Sequence, residues 1–300
     1  MSELLTPKQV ARAIGVSESS LKRWCDRGLI PMICTAGGHR RLPLPGVLEF
    51  IRAQQHALVR PEAIGLPLGT GQRKLTIAAA REMLTAGFVS GSELLCRQLI
   101  LDQYLNGQRI SVICDDLIAA TFHEIGSQWE CSRLEVYRER RACRICVRVL
   151  HELRTILPAV DEATAPTALG GTPAGDYYDL PTAMVELVLR QNGWQATSLG
   201  SALPLETVAV AITENRPRLF WLSVSHLADE QQFLLDYAAL HAAAAGSTKL
   251  VVGGRALHEG LRAAMPAADY CQTLQELEAY LARWPAPAPA AGPSLSTELS

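Results

Sequence analysis

The stretch LTPKQVARAIGVSESSLKRW at residues 5–24, followed by TAGGHRR at residues 35–41, decides the fold of the amino-terminal part. Thr6 is a good helix N-cap before Pro7, and the apolar spacing that follows predicts a first helix ending at Gly15. Ser17 caps a second helix. The stretch at 35–41 predicts a basic hairpin with a Gly-Gly turn. Two short helices joined by a tight turn, with such a hairpin after them, predict a winged helix-turn-helix.

Polar and cationic side chains on the second helix and on the hairpin are the candidates for contact with DNA. They are Ser17, Ser19, Ser20, Lys22 and Arg23 on the helix, and Gly37, Gly38, His39, Arg40 and Arg41 on the hairpin. Hydroxyl and cationic groups bind base edges and phosphates. Residues 1–60 carry nine Lys or Arg against four Asp or Glu, whereas the whole chain has a net charge of −2. This basic segment therefore predicts double-stranded DNA as a partner.

Composition limits what the rest of the chain can be. The 300 residues suffice for two or three domains. No apolar run approaches the roughly 20 residues that cross a bilayer, so we expect no membrane. The spacing of the eight cysteines does not form a disulfide framework, which favours the reducing cytoplasm of a bacterium. Because DNA is the expected partner, we expect the protein at the nucleoid.

Changes in apolar periodicity and in Pro/Gly content predict six segments. They are the DNA-binding domain at 1–60, a Pro/Gly-rich linker at 61–72, a four-helix bundle at 73–157, a second linker at 158–166, a Rossmann-like (flavodoxin-like) parallel α/β domain at 167–284, and a disordered tail at 285–300. Short apolar strands alternate with helical stretches from residue 167 on, which indicates a doubly wound sheet. Such a sheet has room for a ligand at the carboxyl ends of its strands.

The amino-terminal stretches resemble the DNA-binding domain of MerR-family transcription regulators. The phrase GGHRR at residues 37–41 is especially similar to the wing of the CarH/LitR-type and BldC-like members. The resemblance implies that the helix at 17–26 enters the major groove, while the wing contacts the backbone or the minor groove. Trp24 is expected to pack between helices rather than to contact a base.

Residues 73–284 resemble the cobalamin-binding region of methionine synthase and of CarH/LitR-type repressors. The glycine-rich loop at 171–176, the phrase SHL at 225–227 and the glycine pair at 253–254 carry this resemblance. The resemblance implies a cobalamin pocket, whose counterparts here are Trp129, Glu139, Arg140, Asp176, Tyr178, Ser223, Ser225, Gly253 and Gly254.

Two departures from that family's pattern concern the metal. The family binds cobalt through the histidine of D-x-H-x-x-G, where this chain has Tyr178, with Pro181 in place of the glycine. A second family histidine follows a Trp-…-Glu pattern in the bundle, and Arg140 occupies its position here. A phenol, whose pKa is about 10, is a poor substitute for an imidazole. We therefore expect a degenerate pocket, with His123 and His226 as the weaker candidates for a replacement ligand.

The expected cofactor is accordingly none. The alternatives are cobalamin held without a histidine ligand, or another tetrapyrrole such as a bilin. The arginines at 141, 144 and 148 lie on one helix face and are candidates to grip an anionic ligand or a partner.

These observations predict a transcription regulator that is not an enzyme. We expect a repressor, with light as a candidate signal, that binds a palindromic promoter site as a homo-oligomer, either a dimer or a tetramer. A separate photosensor or other signalling protein, or a ligand, would control it. Two other classes stay open: a corrinoid-dependent enzyme or carrier using Asp176, Asp179 and Ser223, and a DNA organiser with a vestigial carboxyl-terminal part.

Overall fold

The computed structural model describes residues 4–130, 135–266 and 268–284, and only the backbone of residues 128–130. Its fold is a helix-turn-helix followed by a helical bundle and a parallel-sheet α/β region. The predicted tail at 285–300 lies outside the described residues.

The amino-terminal unit is a small helical core with a three-stranded antiparallel sheet. Its elements are β1 (Leu4–Leu5), α1 (Pro7–Ile14), α2 (Glu18–Asp26), β2 (Ile33–Cys34), β3 (Arg40–Pro43) and α3 (Leu44–Gln54). α1 begins with a capping box, in which Thr6 and Gln9 bond each other's backbone N–H groups. β3 lies between β1 and β2, so the hairpin of β2 and β3 projects as a wing.

A packed strap, which we define as residues 61–76, replaces the open linker that the Pro/Gly content predicts. It begins with a 3-10 turn at Pro61–Ile64, and both Ile64 and Leu66 are buried. Gln98 and Asn106 of the bundle donate hydrogen bonds to strap carbonyls. The strap connects the two units and also fixes them against each other.

The bundle contains four helical columns, in agreement with the periodicity of the sequence. They are α4 (Ile77–Ser90), α5 (Glu93–Leu105), a continuous column of α6 (Ile110–Val112), a π-helical segment (Ile113–Ala119) and α7 (Ala120–Glu130), and α8 (Val136–Ile156). The π-helical segment has i→i+5 hydrogen bonds, so its turns are wider than those of the α-helices around it. Such segments are rare in proteins, and those that occur are frequently at functional sites.

The carboxyl-terminal region is a doubly wound parallel sheet with the strand order β5-β4-β6-β7-β8. Its strands are β4 (Thr167–Gly171), β5 (Gln195–Ser198), β6 (Leu219–Ser223), β7 (Lys249–Gly253) and β8 (Asp269–Tyr270). Its helices are α9 (Asp179–Gln191), α10 (Leu205–Asn215), α11 (Glu230–Ala244), α12 (Glu259–Ala264) and α13 (Leu274–Leu281). β6 is buried along its whole length, as expected for a central strand that is covered on both faces.

One apolar core runs from the amino-terminal unit through the bundle to one face of the sheet. A second core fills the opposite face, beneath α10, α11 and α12. None of the helices in the described residues combines the length and the apolar character needed to cross a bilayer.

Candidate nucleic-acid interface and ligand cleft

Ser17 begins α2 by capping it. Its hydroxyl oxygen accepts a hydrogen bond from the Ser20 backbone N–H at 3.1 Å and contacts the hydroxyls of Ser19 and Ser20 at 2.8 and 2.9 Å. Ser19 is exposed, and Ser20 is half-buried. Ser17 therefore has a structural role at this helix end, and Ser19 presents an exposed hydroxyl beside it.

The two faces of α2 differ sharply in chemistry. Leu21 and Cys25 are buried against the neighbouring helices. Lys22 and Arg23 are exposed on the outer face. Trp24 is half-buried and lies against aromatic rings of the following segment. The outer face is thus the part of the helix that can meet a polyanion.

The wing presents its glycine turn to solvent. The Gly38 backbone N–H donates to the Thr35 carbonyl at 2.8 Å, and Gly38 has a φ of 73°, a left-handed conformation that glycine adopts without strain. Gly37 and His39 are exposed with it. The tip of the wing therefore has no bulky side chain between its backbone and an approaching phosphate chain, apart from His39.

Arg40 has two partners within the protein. One guanidinium nitrogen lies 2.7 Å from an Asp26 carboxylate oxygen, and another donates to the Lys22 carbonyl at 3.4 Å. Both partners belong to α2, so Arg40 ties the wing to that helix. Arg41 is half-buried and donates to the Arg40 carbonyl at 3.1 Å. Arg40 thus positions the wing against α2, and its predicted contact with a phosphate stays a prediction.

Asp176 closes a loop at the carboxyl edge of the sheet. It is fully buried, and its carboxylate accepts backbone N–H bonds from Tyr178 at 3.1 Å, from Ser225 at 2.6 Å and from His226 at 3.2 Å. Charge-assisted bonds of this kind are stronger than neutral ones. Asp176 therefore joins the loop after β4 to the loop after β6, and its oxygens are committed to the backbone.

Tyr178 lies at the N-terminus of α9, where the family pattern has its cobalt-binding histidine. Its side chain is 42% exposed, and the Arg255 guanidinium carbon lies 5.0 Å from the centre of its ring. Arg255 also donates to the Ser225 carbonyl at 3.2 Å. Tyr178 is thus held in a cation–π contact across the edge of the sheet.

The glycine pair after β7 allows two backbones to approach closely. A Cβ at Gly254 would overlap the Val224 carbonyl, and Gly254 has a φ of 125°. A Cβ at Gly253 would overlap the Cys271 carbonyl. Ser223 is buried at the end of β6 beside them. These residues shape the floor of the sheet edge and keep it narrow.

A mainly apolar cavity of about 280 Å³ lies at the carboxyl ends of β6 and β7. Trp221 and Val251 contribute from the sheet, Met184 from α9, Leu277 from α13, and Arg255 from the loop after β7. Ser223, Ser225, Gly253 and Gly254 also line it, whereas Asp176 and Tyr178 do not. The structure thus brings four of the predicted pocket residues together at one cavity.

The predicted bundle side of the pocket is only partly described. Glu139 is half-buried and Arg140 is exposed, both near the start of α8. The side chain of Trp129 lies outside the described residues. The contact among these three residues therefore stays a prediction.

The arginines of α8 that were candidates for gripping a ligand have partners in the bundle. Arg148 forms two hydrogen bonds with the Glu93 carboxylate, at 2.7 and 2.8 Å. Arg141 donates to the Val89 carbonyl at 2.7 Å, near the C-terminus of α4. Arg144 is exposed. Arg141 and Arg148 thus stabilise helix packing, which removes two members of the suggested cluster.

The described residues that line the cavity include no histidine, so none of them offers an imidazole to a cobalt ion. No set of three or more His, Cys, Asp or Glu side chains among the described residues is arranged to hold a metal. His123 and His226, the two candidate replacements, are exposed and do not line the cavity.

Two polar residues at this cavity were missed at the sequence level. Arg255 directly follows the glycine pair at 253–254, so its position in the chain was a usable signal. Asp115 lies in the π-helical segment and accepts backbone N–H bonds from Leu274 and Gln275 at the start of α13. Its partner is about 160 residues away, and no local pattern indicates such a contact.

Comparisons with known proteins agree with this arrangement. Residues 4–55 match a family model described as a helix-turn-helix domain. The chain is 27% identical over 284 residues to the HTH-type transcriptional repressor CarA of Myxococcus xanthus, which covers 91% of this chain and 94% of that repressor. A solved structure of the monomethylamine corrinoid protein of Methanosarcina barkeri shares the fold. It has a TM-score of 0.57 at 15% identity, covering 68% of this chain and 98% of that one.

The chain therefore combines a helix-turn-helix domain with a bundle and a parallel sheet that have the fold of cobalamin-binding proteins. This is the domain arrangement of CarH-like proteins, as the resemblance implied.

Proposed function

We propose that this protein represses transcription by binding double-stranded DNA through α2 and the wing. The cationic outer face of α2, held beside the wing by the ion pair between Arg40 and Asp26, is the observation that supports this most directly. The similarity to a transcriptional repressor over nine-tenths of the chain supports the same function.

A test of this proposal is the dependence of DNA affinity on salt. Lys22→Gln and Arg23→Gln each remove one exposed cation, so each should weaken binding and reduce the slope of log K against log salt by about one. Lys249→Gln, with the same charge change at the start of β7, should leave the slope unchanged. Equal slopes for all these proteins would exclude α2 from the interface.

We propose that the functional division follows the predicted segments: a DNA-binding part at 1–60, and a bundle at 73–157 with a sheet domain at 167–284 as the sensing and oligomerising part. Two DNA-binding parts held about 34 Å apart, or a multiple of that, would contact both halves of a palindromic site. Inserting five base pairs between half-sites should therefore weaken binding far more than inserting ten. Equal binding to both spacings would argue against a fixed dimer or tetramer on DNA.

The signal that we propose for the sensing part is a separate signalling protein, with a photosensor as the first candidate. The loss of both family histidines supports an input other than ligated cobalamin. The second candidate is a tetrapyrrole held without a histidine ligand, which the apolar cavity near α9 favours. An absorption spectrum and cobalt analysis of the protein from its native host distinguish the two, because bound corrinoid contributes both visible absorption and metal.

We propose a regulatory and not an enzymatic role, acting at the bacterial chromosome. Asp176, one of the groups considered for acid–base chemistry, uses its carboxylate to hold three backbone N–H groups. Oxygens that are already engaged by three backbone N–H groups are not available to a substrate.

A further inference from the structure

We propose that a cavity between the amino-terminal unit and the bundle binds a small, multiply charged anion. This cavity, which we call the strap cavity, has a volume of about 550 Å³ and is lined by the end of α3, the strap and the end of α5. It shares no residue with the cavity at the sheet edge. Its volume falls in the range of small-molecule sites, which often lie where two units meet.

The walls of the strap cavity are fixed in place. On one side, Arg52 of α3 donates to the Tyr104 carbonyl at 2.7 Å and to the Gln108 carbonyl at 3.0 Å. The Arg52 guanidinium also lies 3.9 Å from the centre of the Tyr104 ring. α3 and the end of α5 are therefore held at a set distance, with the cavity between them.

The strap presents one lysine at this cavity in a defined position. Asn106 donates to the Arg73 carbonyl at 2.7 Å, and Gln103 donates to the Leu75 carbonyl at 3.1 Å. These two bonds fix the backbone on both sides of Lys74, and Lys74 lines the cavity. The backbone at Lys74 is thus already ordered before a ligand binds, which lowers the entropic cost of binding.

The described lining of the strap cavity has a cationic lysine and no acidic side chain. Lys74 and His56 line the cavity together with amide side chains that include Gln55 and Gln108, and none of the described lining residues is an Asp or a Glu. Among the described residues, the Lys74 ammonium and the side-chain amides of Gln55 and Gln108 form neither a hydrogen bond nor an ion pair. A lysine and the two uncommitted side-chain amides of Gln55 and Gln108, in a lining without Asp or Glu, match an anion with several acceptor oxygens.

The strap cavity is connected to the DNA-binding helix through one residue. The His56 ring lies 5.1 Å from the Trp24 ring of α2 and 5.2 Å from the Phe50 ring of α3, measured between centroids. An anion at His56 would therefore contact a residue whose ring packs against Trp24 of α2. This gives the site a route to influence DNA binding.

Citrate and inorganic pyrophosphate serve as probes, added to the full chain without DNA at constant ionic strength. We expect calorimetry to show saturable binding of at least one of them, and hydrogen exchange to slow in the strap at residues 71–76. Lys74→Gln should weaken this binding about tenfold, as removal of a charged partner does, whereas Lys74→Arg should retain most of it. Sorbitol, a neutral polyol, should not bind.

Arg73→Gln is the matched control, because it removes an adjacent exposed cation that does not line the cavity. It should leave binding of the probe unchanged. An equal loss in Arg73→Gln and Lys74→Gln would show non-specific attraction and overturn the proposal. So would the absence of binding by both anions at about 10 mM, well above the micromolar-to-millimolar range of ordinary metabolite affinities. These outcomes do not depend on DNA binding, so they are separable from the proposed function.

Discussion

At the scale of single residues, Asp102 is a buried carboxyl at the junction between the amino-terminal unit and the bundle. Its side chain is fully buried, one oxygen accepts the Gly71 backbone N–H, and the other has no hydrogen-bond partner among the described residues. Burial raises the pKa of the Asp102 carboxyl from its ordinary 3.8 to about 6, although the bond from Gly71 opposes this. Folding therefore favours the neutral form of this group relative to the unfolded chain.

The raised pKa of Asp102 predicts how stability depends on pH. The folded pKa lies above the unfolded one, so this contribution is fully present below about pH 4 and is lost as the pH rises to about 6. Asp102→Asn keeps an acceptor for Gly71 and carries no charge, so it should raise the free energy of unfolding at pH 7 by about 2–3 kcal/mol. At pH 4 the two proteins should be nearly equal. Denaturant titrations at both pH values test this, and a stabilisation that is the same at both would contradict it.

At the scale of elements, the wing and α2 act as one piece because Arg40 joins them. The ion pair with Asp26 is half-exposed and should contribute no more than about 1 kcal/mol to stability. Asp26→Asn and Arg40→Gln should nevertheless both increase hydrogen exchange in the wing at residues 35–39. Arg40→Gln should leave the salt slope of DNA binding unchanged, because this arginine is occupied by α2. A slope reduced by about one would instead mean that Arg40 leaves Asp26 to contact a phosphate.

Elements were predictable from sequence where their signals are local. Thr6, Ser17 and the alternation of strand and helix after residue 167 indicated α1, α2 and the parallel sheet. The strap was not recognisable, because its Pro/Gly-rich composition is typical of a linker and its partners lie on α5, some thirty residues further on.

The residues of the candidate site were likewise predictable only where their signals are local. The outer face of α2 and the glycine pair after β7 could be found from local sequence and family resemblance. The engagement of Arg40 by Asp26, and of Asp176 by backbone N–H groups from the loop after β6, could not. Both depend on contacts between elements that meet only in the folded chain.

At the scale of the whole molecule, Glu278 of α13 joins the sheet region to the bundle. It is nearly buried, and its carboxylate accepts hydrogen bonds from Arg109 at 2.7 Å, from Ser111 at 2.5 Å and from Asn192 at 3.2 Å. Arg109 and Ser111 lie at the start of the third bundle column, and Asn192 follows α9. One carboxylate therefore accepts hydrogen bonds from both the bundle and the sheet region. Elsewhere these two parts are joined by the apolar contacts of the shared core.

The position of Glu278 predicts the cooperativity of unfolding. Glu278→Ala should lower the free energy of unfolding by about 1–3 kcal/mol, since three donors lose their charged acceptor. Because the lost bonds join two units, calorimetry should show the single transition broaden or split in two. Arg148→Ala removes an exposed ion pair within the bundle, at Glu93, and should lower the free energy of unfolding much less than Glu278→Ala does, while the single transition is kept. If both variants unfolded in one sharp transition, the apolar core alone would couple the units and Glu278 would serve only as a local cap of the interface.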